Sequence, residues 1–370
     1  MRRISILPIL FSLFISCDRQ DLEEKVYTHA LLPVLIDWES KALLYVDNDT
    51  NGDLYSASVW LFPTATSEYQ GDAMEFKLSD PELGYIEVPV GEYDVLVFNK
   101  TVSDFTSNVG FRGTDKFDTF EYYINEDSRF SLFSSRSDSD ITSLAPDMLA
   151  AWSMEDGGTL VVTQGMLGYY EEIVSLRSRY SSTKATVDDF ADLSDDLKQL
   201  LYVTPERLIH NVTLVETVWN MNNATAAQAT LKGMSTSVNL SKKSYSTTTT
   251  SHVVTFTTKD YLDDLEFKHG TMSGSTNVVG PLDEDSSYSV ETLFTLASEY
   301  DGSLIYPTPP ADPYTADVSS QVNEAIIGLD KCFSIYIDIG IELPELQVEI
   351  EDSGFSVNVS DWGETIVIPM

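Results

Sequence analysis

Alternation of apolar and polar positions runs through most of this chain and breaks once. Across residues 332–343, Phe333, Ile335, Ile337, Ile339 and Ile341 fall on one face, with Cys332, Ser334 and Tyr336 on the other. That two-residue period predicts a strand with one buried face. Shorter stretches at 31–38, 43–46, 55–62, 75–78, 209–219, 228–240, 251–257 and 290–296 also read as strands. Near the end, Phe355, Val357 and Val359 alternate again, and 366–368 reads as a closing strand paired into a sheet.

Residues 85–120 are the densest part of the pattern. YIEVPVGEYDVLVFNK predicts a hairpin around Pro-Val-Gly. Its second strand is apolar on both faces, with Tyr93, Val95 and Val97 on one and Leu96 and Phe98 on the other. A strand buried on both faces belongs at the centre of a sandwich. FRGTDKFDTF follows, setting Arg112, Gly113, Thr114, Asp115 and Asp118 between Phe111, Phe117 and Phe120. This reads as a polar loop held to the sheet by charge-assisted hydrogen bonds. APDMLAAW, 145–152, reads as a helical turn capped near Asp147.

The break lies at 165–204. Tyr169, Ile173, Leu176 and Tyr180 recur at helical spacing, as do Phe190, Leu193, Leu197 and Leu200. Two helices that pack on a sandwich edge or lie between domains are expected.

The first residues carry a different signal. Arg2 and Arg3 precede an apolar run over 4–15. As a helix that run would reach about 18 Å, short of the roughly 30 Å hydrocarbon core, so it reads as the core of a signal peptide. Leu13-Phe14-Ile15-Ser16-Cys17 resembles a bacterial lipobox, departing from it at Phe14. Cys17 is the expected lipidation site, followed by an acidic tether. Acyl chains contribute ~0.8 kcal/mol per buried methylene, so several on one residue anchor stably. The acidic run after the cysteine resembles the surface-export signals of Bacteroidota lipoproteins.

Composition narrows the function. The 370 residues carry 59 acidic and 22 basic side chains, a formal net charge of -37. Phosphate backbones repel such a chain, which argues against nucleic-acid partners. Hydrophobic content of 42%, with 11% aromatics, supports sizeable cores, and the length favours about two domains. The cysteines are Cys17 and Cys332; with the first lipidated, no intramolecular disulfide is expected.

Motifs for chemistry are sparse. The histidines His29, His210, His252 and His269 stand in no zinc pattern, and no nucleophile elbow, phosphate loop or dinucleotide fingerprint occurs. DNDTNGD, 47–53, opens like a calcium loop, with Asp47, Asp49, Asn51 and Asp53 as oxygen donors. The twelfth position, where a bidentate glutamate belongs, is Ser58. The competing reading is an acidic surface hairpin around Asn51-Gly52. No cofactor is expected.

Several blocks carry a family resemblance. Trp38 after VLID, VPVGEYDVLVFN (88–99) and FRGTDKFDTFE (111–121) look like the amino-terminal domain of a Bacteroidales lipoprotein family of unknown function. That family lies within the fimbrillin superfamily, alongside anchor and accessory subunits of type V pili. LKGMSTSVNL (231–240), ADVSSQV (316–322), YIDIGIELP (336–344) and GFSVNVSDWGETIVI (354–368) are similar to its carboxyl-terminal domain. The resemblance implies a mainly β chain of two tandem transthyretin-like β-sandwiches. The expected division is a signal peptide at 1–16, a tether at 17–30, sandwiches at 31–164 and 205–370, and a short helical insertion or linker at 165–204.

It also implies a non-enzymatic, lipid-anchored outer-membrane subunit, exposed at the cell surface, that joins other pilus subunits by β-strand addition. An anchor subunit keeps its own first strand, and the strand near Ile366 is the candidate for pairing between subunits. The alternative is a surface lipoprotein that binds a glycan or host protein through exposed Trp or Tyr. An enzyme, such as a hydrolase, is the third reading.

Overall fold

A computed structural model describes residues 28–39, 42, 56–125, 145–154, 158–180, 201–262, 269–281, 286–296, 304–306, 312–327, 332–344, 356–357 and 366–367. The first half contributes β1 (His29–Ile36), β2 (Ala57–Pro63), β3 (Met74–Leu78), β4 (Leu83–Pro89), β5 (Gly91–Asn99), β6 (Val109–Arg112), β7 (Glu121–Ile124), β8 (Ala150–Ser153) and β9 (Leu160–Val162). Two helices follow, α1 (Gln164–Leu167) and α2 (Tyr170–Tyr180), then β10 (Leu201–Val203) and β11 (Glu206–Arg207). The second half contributes β12 (Ile209–Trp219), β13 (Ala224–Ser235), β14 (Ser237–Asn239), β15 (Ser244–Tyr245), β16 (Thr249–Thr255), β17 (Thr258–Tyr261), β18 (His269–Val279), β19 (Ser289–Leu296), β20 (Leu304–Tyr306) and β21 (Tyr314–Asp317). The chain ends with α3 (Ser319–Ile327), β22 (Cys332–Glu342), β23 (Ser356–Val357) and β24 (Ile366–Val367).

The protein is mainly β and built as two sandwiches. In the first, a three-stranded sheet β10-β1-β4 faces a sheet ordered β11-β8-β5-β2-β3, with β9 also on β5. Ala30, Leu32, Val34, Ile36, Trp38, Val59, Leu61, Ile86, Val95 and Val97 fill the space between them. β5 is central, as its two apolar faces require, and Tyr93 and Val95 through Asn99 are all buried.

The expected hairpin at 85–99 is not one. β4 pairs with β1 and β5 with β2, so the Pro89-Val90-Gly91 turn carries the chain from one sheet to the other. The Tyr93 hydroxyl donates to the Pro89 carbonyl at 3.0 Å and closes this corner. Alternation reports which face is buried and is silent on the partner strand.

The expected helical turn at 145–152 is likewise absent. Asn99 brackets the segment, its amide donating to the Met148 carbonyl (3.0 Å) and its oxygen accepting from the Ala150 N–H (2.7 Å). This extends the chain into β8 beside β5.

In the second sandwich, a sheet ordered β17-β18-β12-β22 faces one ordered β16-β13-β19-β20, with β21 also on β19. β12 ties the two halves together: Ile209 lies in the first core, Val212 and Leu214 in the second. β22 keeps the expected alternation, with Ile335, Ile337 and Ile341 buried and Ser334 and Tyr336 exposed. A bulge interrupts its register opposite Glu216–Val218, where Gly340 sits at φ +67°, a conformation few other residues tolerate.

The free edge of β22 is guarded. The Gln321 side chain on α3 donates to the Tyr336 carbonyl and accepts from the Tyr336 N–H, both at 2.8 Å, as a neighbouring strand would.

Candidate functional site

The feature with functional weight is β1. It hydrogen-bonds antiparallel to β4 from His29 to Leu35 and parallel to β10 from Val34 to Ile36. Seven of its eight residues are buried. Even positions point into the first core. The opposite face is covered by the helices, where Leu31 and the fully buried Ile173 pack with Leu83, Tyr85, Tyr169, Tyr170, Val174 and Leu176. The Tyr170 hydroxyl donates to Glu87 at 2.7 Å, and the Arg177 guanidinium lies 5.8 Å from the Tyr85 ring. The first half of the helical segment is therefore a cover over β1 and β4. The second predicted helix, around Phe190–Leu200, lies outside the described residues.

The FRGTD loop is the seam between the halves of the chain. β7 receives β14 from the second half, giving a sheet ordered β15-β14-β7-β6. Arg112 donates to Glu121 at 2.6 Å and lies 5.1 Å from the Tyr123 ring. Arg112, aided by the Ser237 hydroxyl, holds the Glu121 carboxyl below its ordinary range. The Asn239 amide donates to the Asp118 carbonyl at 2.8 Å, and the Leu240 N–H to the Phe120 carbonyl at 2.9 Å.

Gly113, at φ +64°, is fixed by the Thr119 hydroxyl bonding to its carbonyl; an added Cβ would stand 2.2 Å from the Thr119 carbonyl oxygen. Phe111 stacks on Phe98 and Phe120 meets Trp60 edge-on, as anchors should. The expected charge-assisted bond is made by Arg112. Among the described residues, the Asp115 and Asp118 carboxylates make no hydrogen bond or ion pair.

The second core holds two ionisable groups that sequence reading passed over. Glu216 points inward from β12, fully buried, and neither carboxyl oxygen has a hydrogen-bond partner. Burial pushes its pKa up to about 8; the Thr292 hydroxyl opposes that shift without forming a full hydrogen bond. His252, buried on β16, is pushed down to about 4 by desolvation. Both groups are therefore neutral near pH 7, and neither reaches solvent to do acid–base work.

The remaining sequence candidates divide. Cys17, Asp47, Asp49, Asn51 and Asp53 lie outside the described residues. Cys332 is exposed, its sulfur accepting from Arg207 at 2.8 Å. β24 pairs only with β23 among the described residues, through Ser356 opposite Val367 and Val357 opposite Ile366, in a two-stranded sheet separate from both sandwiches. Among the described residues, no group of three or more His, Cys, Asp or Glu is placed to hold a metal, and no helix is long and apolar enough to cross a membrane.

Comparison with solved structures returns the same kind of fold. A candidate adhesin from Bacteroides ovatus matches with a TM-score of 0.52 at 13% identity, over 87% of this chain and 95% of that one. A second candidate adhesin, from Bacteroides thetaiotaomicron, matches at 0.47 and 7% identity, over 93% and 99%. The fimbrial anchor protein Mfa2 from Porphyromonas gingivalis matches at 0.41 and 10%, over 83% and 90%. The first of the three is near enough in shape to speak for the fold. Curated proteins give no match to the sequence. Residues 16–257, spanning the first sandwich, the helices, the seam and the start of the second sandwich, match the model of DUF5119, a domain of unknown function, and the chain belongs to that family.

Proposed function

We propose that this protein is a non-enzymatic outer-membrane lipoprotein that serves a fimbria as an anchor or accessory subunit and keeps its own first strand. One observation carries the reading: β1 is paired with β4 along one edge and with β10 at its carboxyl end, and is covered on both faces, the outer one by α2. A strand meant to be released and replaced is better left without a helical cover, because every covering contact must be broken first. A retained strand suits the subunit that stays at the membrane while others are added to it. A candidate adhesin with the same fold supports a place at the cell surface.

In this reading Cys17 carries the acyl chains, the tether after it spans from the membrane to β1, and other pilus subunits attach by strand addition. The segment offered to them is β24, which belongs to neither sandwich. Labelling cells with a radioactive fatty acid is expected to mark the wild type and to leave a Cys17→Ala variant unmarked. Equal labelling of the two would remove the anchor. Affinity capture of the labelled protein is expected to bring fimbrial subunits with it, and their absence would remove the pilus role.

A further inference from the structure

The outer face of the second sandwich has a chemistry unlike the rest of this chain. Its two middle strands, β12 and β18, turn Thr213, Thr217, Thr271, Ser273 and Ser275 outward with their neighbours, and no Asp, Glu, Lys or Arg stands among them. In a protein of net charge -37, an uncharged face across two eleven-residue strands is a marked departure. Glu216, the one carboxylate on β12, points the other way, into the core. The flanking strands restore the charge at the rim, through Asp260 on β17 and Asp338 and Glu342 on β22.

Two aromatic side chains stand on this face. Trp219 is 48% exposed and Tyr336 is 65% exposed. The indole is held upright by His269, whose ring is parallel to it at 7° with centroids 3.7 Å apart. β18 lies on that side of β12 and β22 on the other, where the exposed Glu342 stands directly opposite Trp219. His269 therefore backs one face of the indole, and the side chain stays 48% exposed beside Glu342. Tyr336 stands opposite Val215, four residues back along the strand from Trp219, which is about 13 Å at strand rise. Its backbone is fixed by Gln321, so the ring sits on a rigid base.

We propose that this face binds a neutral glycan chain laid across it from Tyr336 to Trp219. Aromatic faces take the apolar C–H faces of sugar rings, and Thr217 between them, with the hydroxyl groups of β18 beside β12, supplies both donors and acceptors. Pre-organised rings and short side chains lose little entropy on binding. The rim carboxylates accept hydrogen bonds from sugar hydroxyls and, with the net charge, exclude anionic polymers. A protein partner is disfavoured by the hydroxyl-rich centre, since serine is depleted in protein interfaces.

The test is affinity electrophoresis of the full chain through gels containing mannan, a mixed-linkage β-glucan or polygalacturonate. Retardation is expected in at least one of the two neutral polymers and not in polygalacturonate. Trp219→Ala and Tyr336→Ala are each expected to weaken that binding at least tenfold, with Trp219→Phe retaining most of it. Both sites are exposed, so unchanged thermal unfolding is expected in all three variants and shows that the losses are local. Equal retardation of the alanine variants, retardation in polygalacturonate, or no retardation in either neutral polymer would overturn the proposal. Capture of fimbrial subunits by Trp219→Ala separates this outcome from failure of the pilus role.

Discussion

Glu216→Gln is expected to stabilise the second sandwich at pH 7 by roughly 3 kcal/mol, by about 4 kcal/mol at pH 8 and by about 5 kcal/mol well above it. The sign follows from where the protons sit. The native carboxyl holds its proton up to about pH 8, whereas the unfolded one releases it near 4.5. Between those values only the unfolded state is ionised, so native stability falls as pH rises through the window. Below about 4.5 both states are protonated and the gain on substitution disappears.

His252 runs the other way. Neutral in the fold down to about pH 4, it is protonated in the unfolded chain below about 6.5, so it costs stability as pH falls from 6.5 to 4. Between 4.5 and 6.5 the two slopes cancel. Denaturant midpoints for the second sandwich in wild type and Glu216→Gln, at pH 4, 6 and 8, measure this directly. A substitution effect equal at all three pH values would mean that Glu216 is ionised in the fold.

Removing β1 is expected to unfold the first sandwich. Burying Leu31, Leu32, Val34, Leu35 and Ile36 is worth roughly 8–15 kcal/mol, at about 1.5–3 kcal/mol per side chain. That equals the whole stability of an ordinary domain, about 5–15 kcal/mol. A chain starting after Ile36 is therefore expected to lose the unfolding transition of the first sandwich and to recover it when a peptide spanning 28–39 is added. Val34→Asp, which puts a carboxylate into the same core, is expected to cost about 4 kcal/mol or more. A truncated chain with an unchanged transition would mean that β1 is not part of the folded unit.

Much of the fold is legible in the period-two pattern. β12, β19 and β22 stand where alternation puts them, because burial on one face selects apolar residues at every second position, and β5 is central because both its faces are apolar. Pairing is another matter. The Pro89–Gly91 corner looks like a hairpin because a tight turn between strands has the same residues whether it joins neighbours or changes sheets. APDMLAAW has a helical composition that Asn99 overrides with two side-chain hydrogen bonds from about fifty residues away. α3 is written in the spacing of Val322, Ala325 and Ile326, with Asp317 accepting from Ser319 at its start, a local signal short enough to miss beside β22.

The candidate sites follow the same division. The aromatic anchors of the FRGTD loop are visible because they are local, whereas its role as a seam depends on β14, more than a hundred residues later. The face carrying Trp219 and Tyr336 is hidden for the same reason: the two residues share one face only because β12 and β22 are neighbours. Glu216 sits on the apolar face of a well-marked strand, and that alternation is the one sequence signal by which it could have been found.

The retained first strand is the claim on which the proposed role rests, and the mature amino terminus tests it most directly. Mass spectrometry of the protein extracted from its own outer membrane is expected to find an acylated Cys17 as the first residue, with 29–36 still attached. A mature chain that begins beyond Ile36 would contradict it, and would place this protein among subunits that exchange β1 for a neighbour's strand.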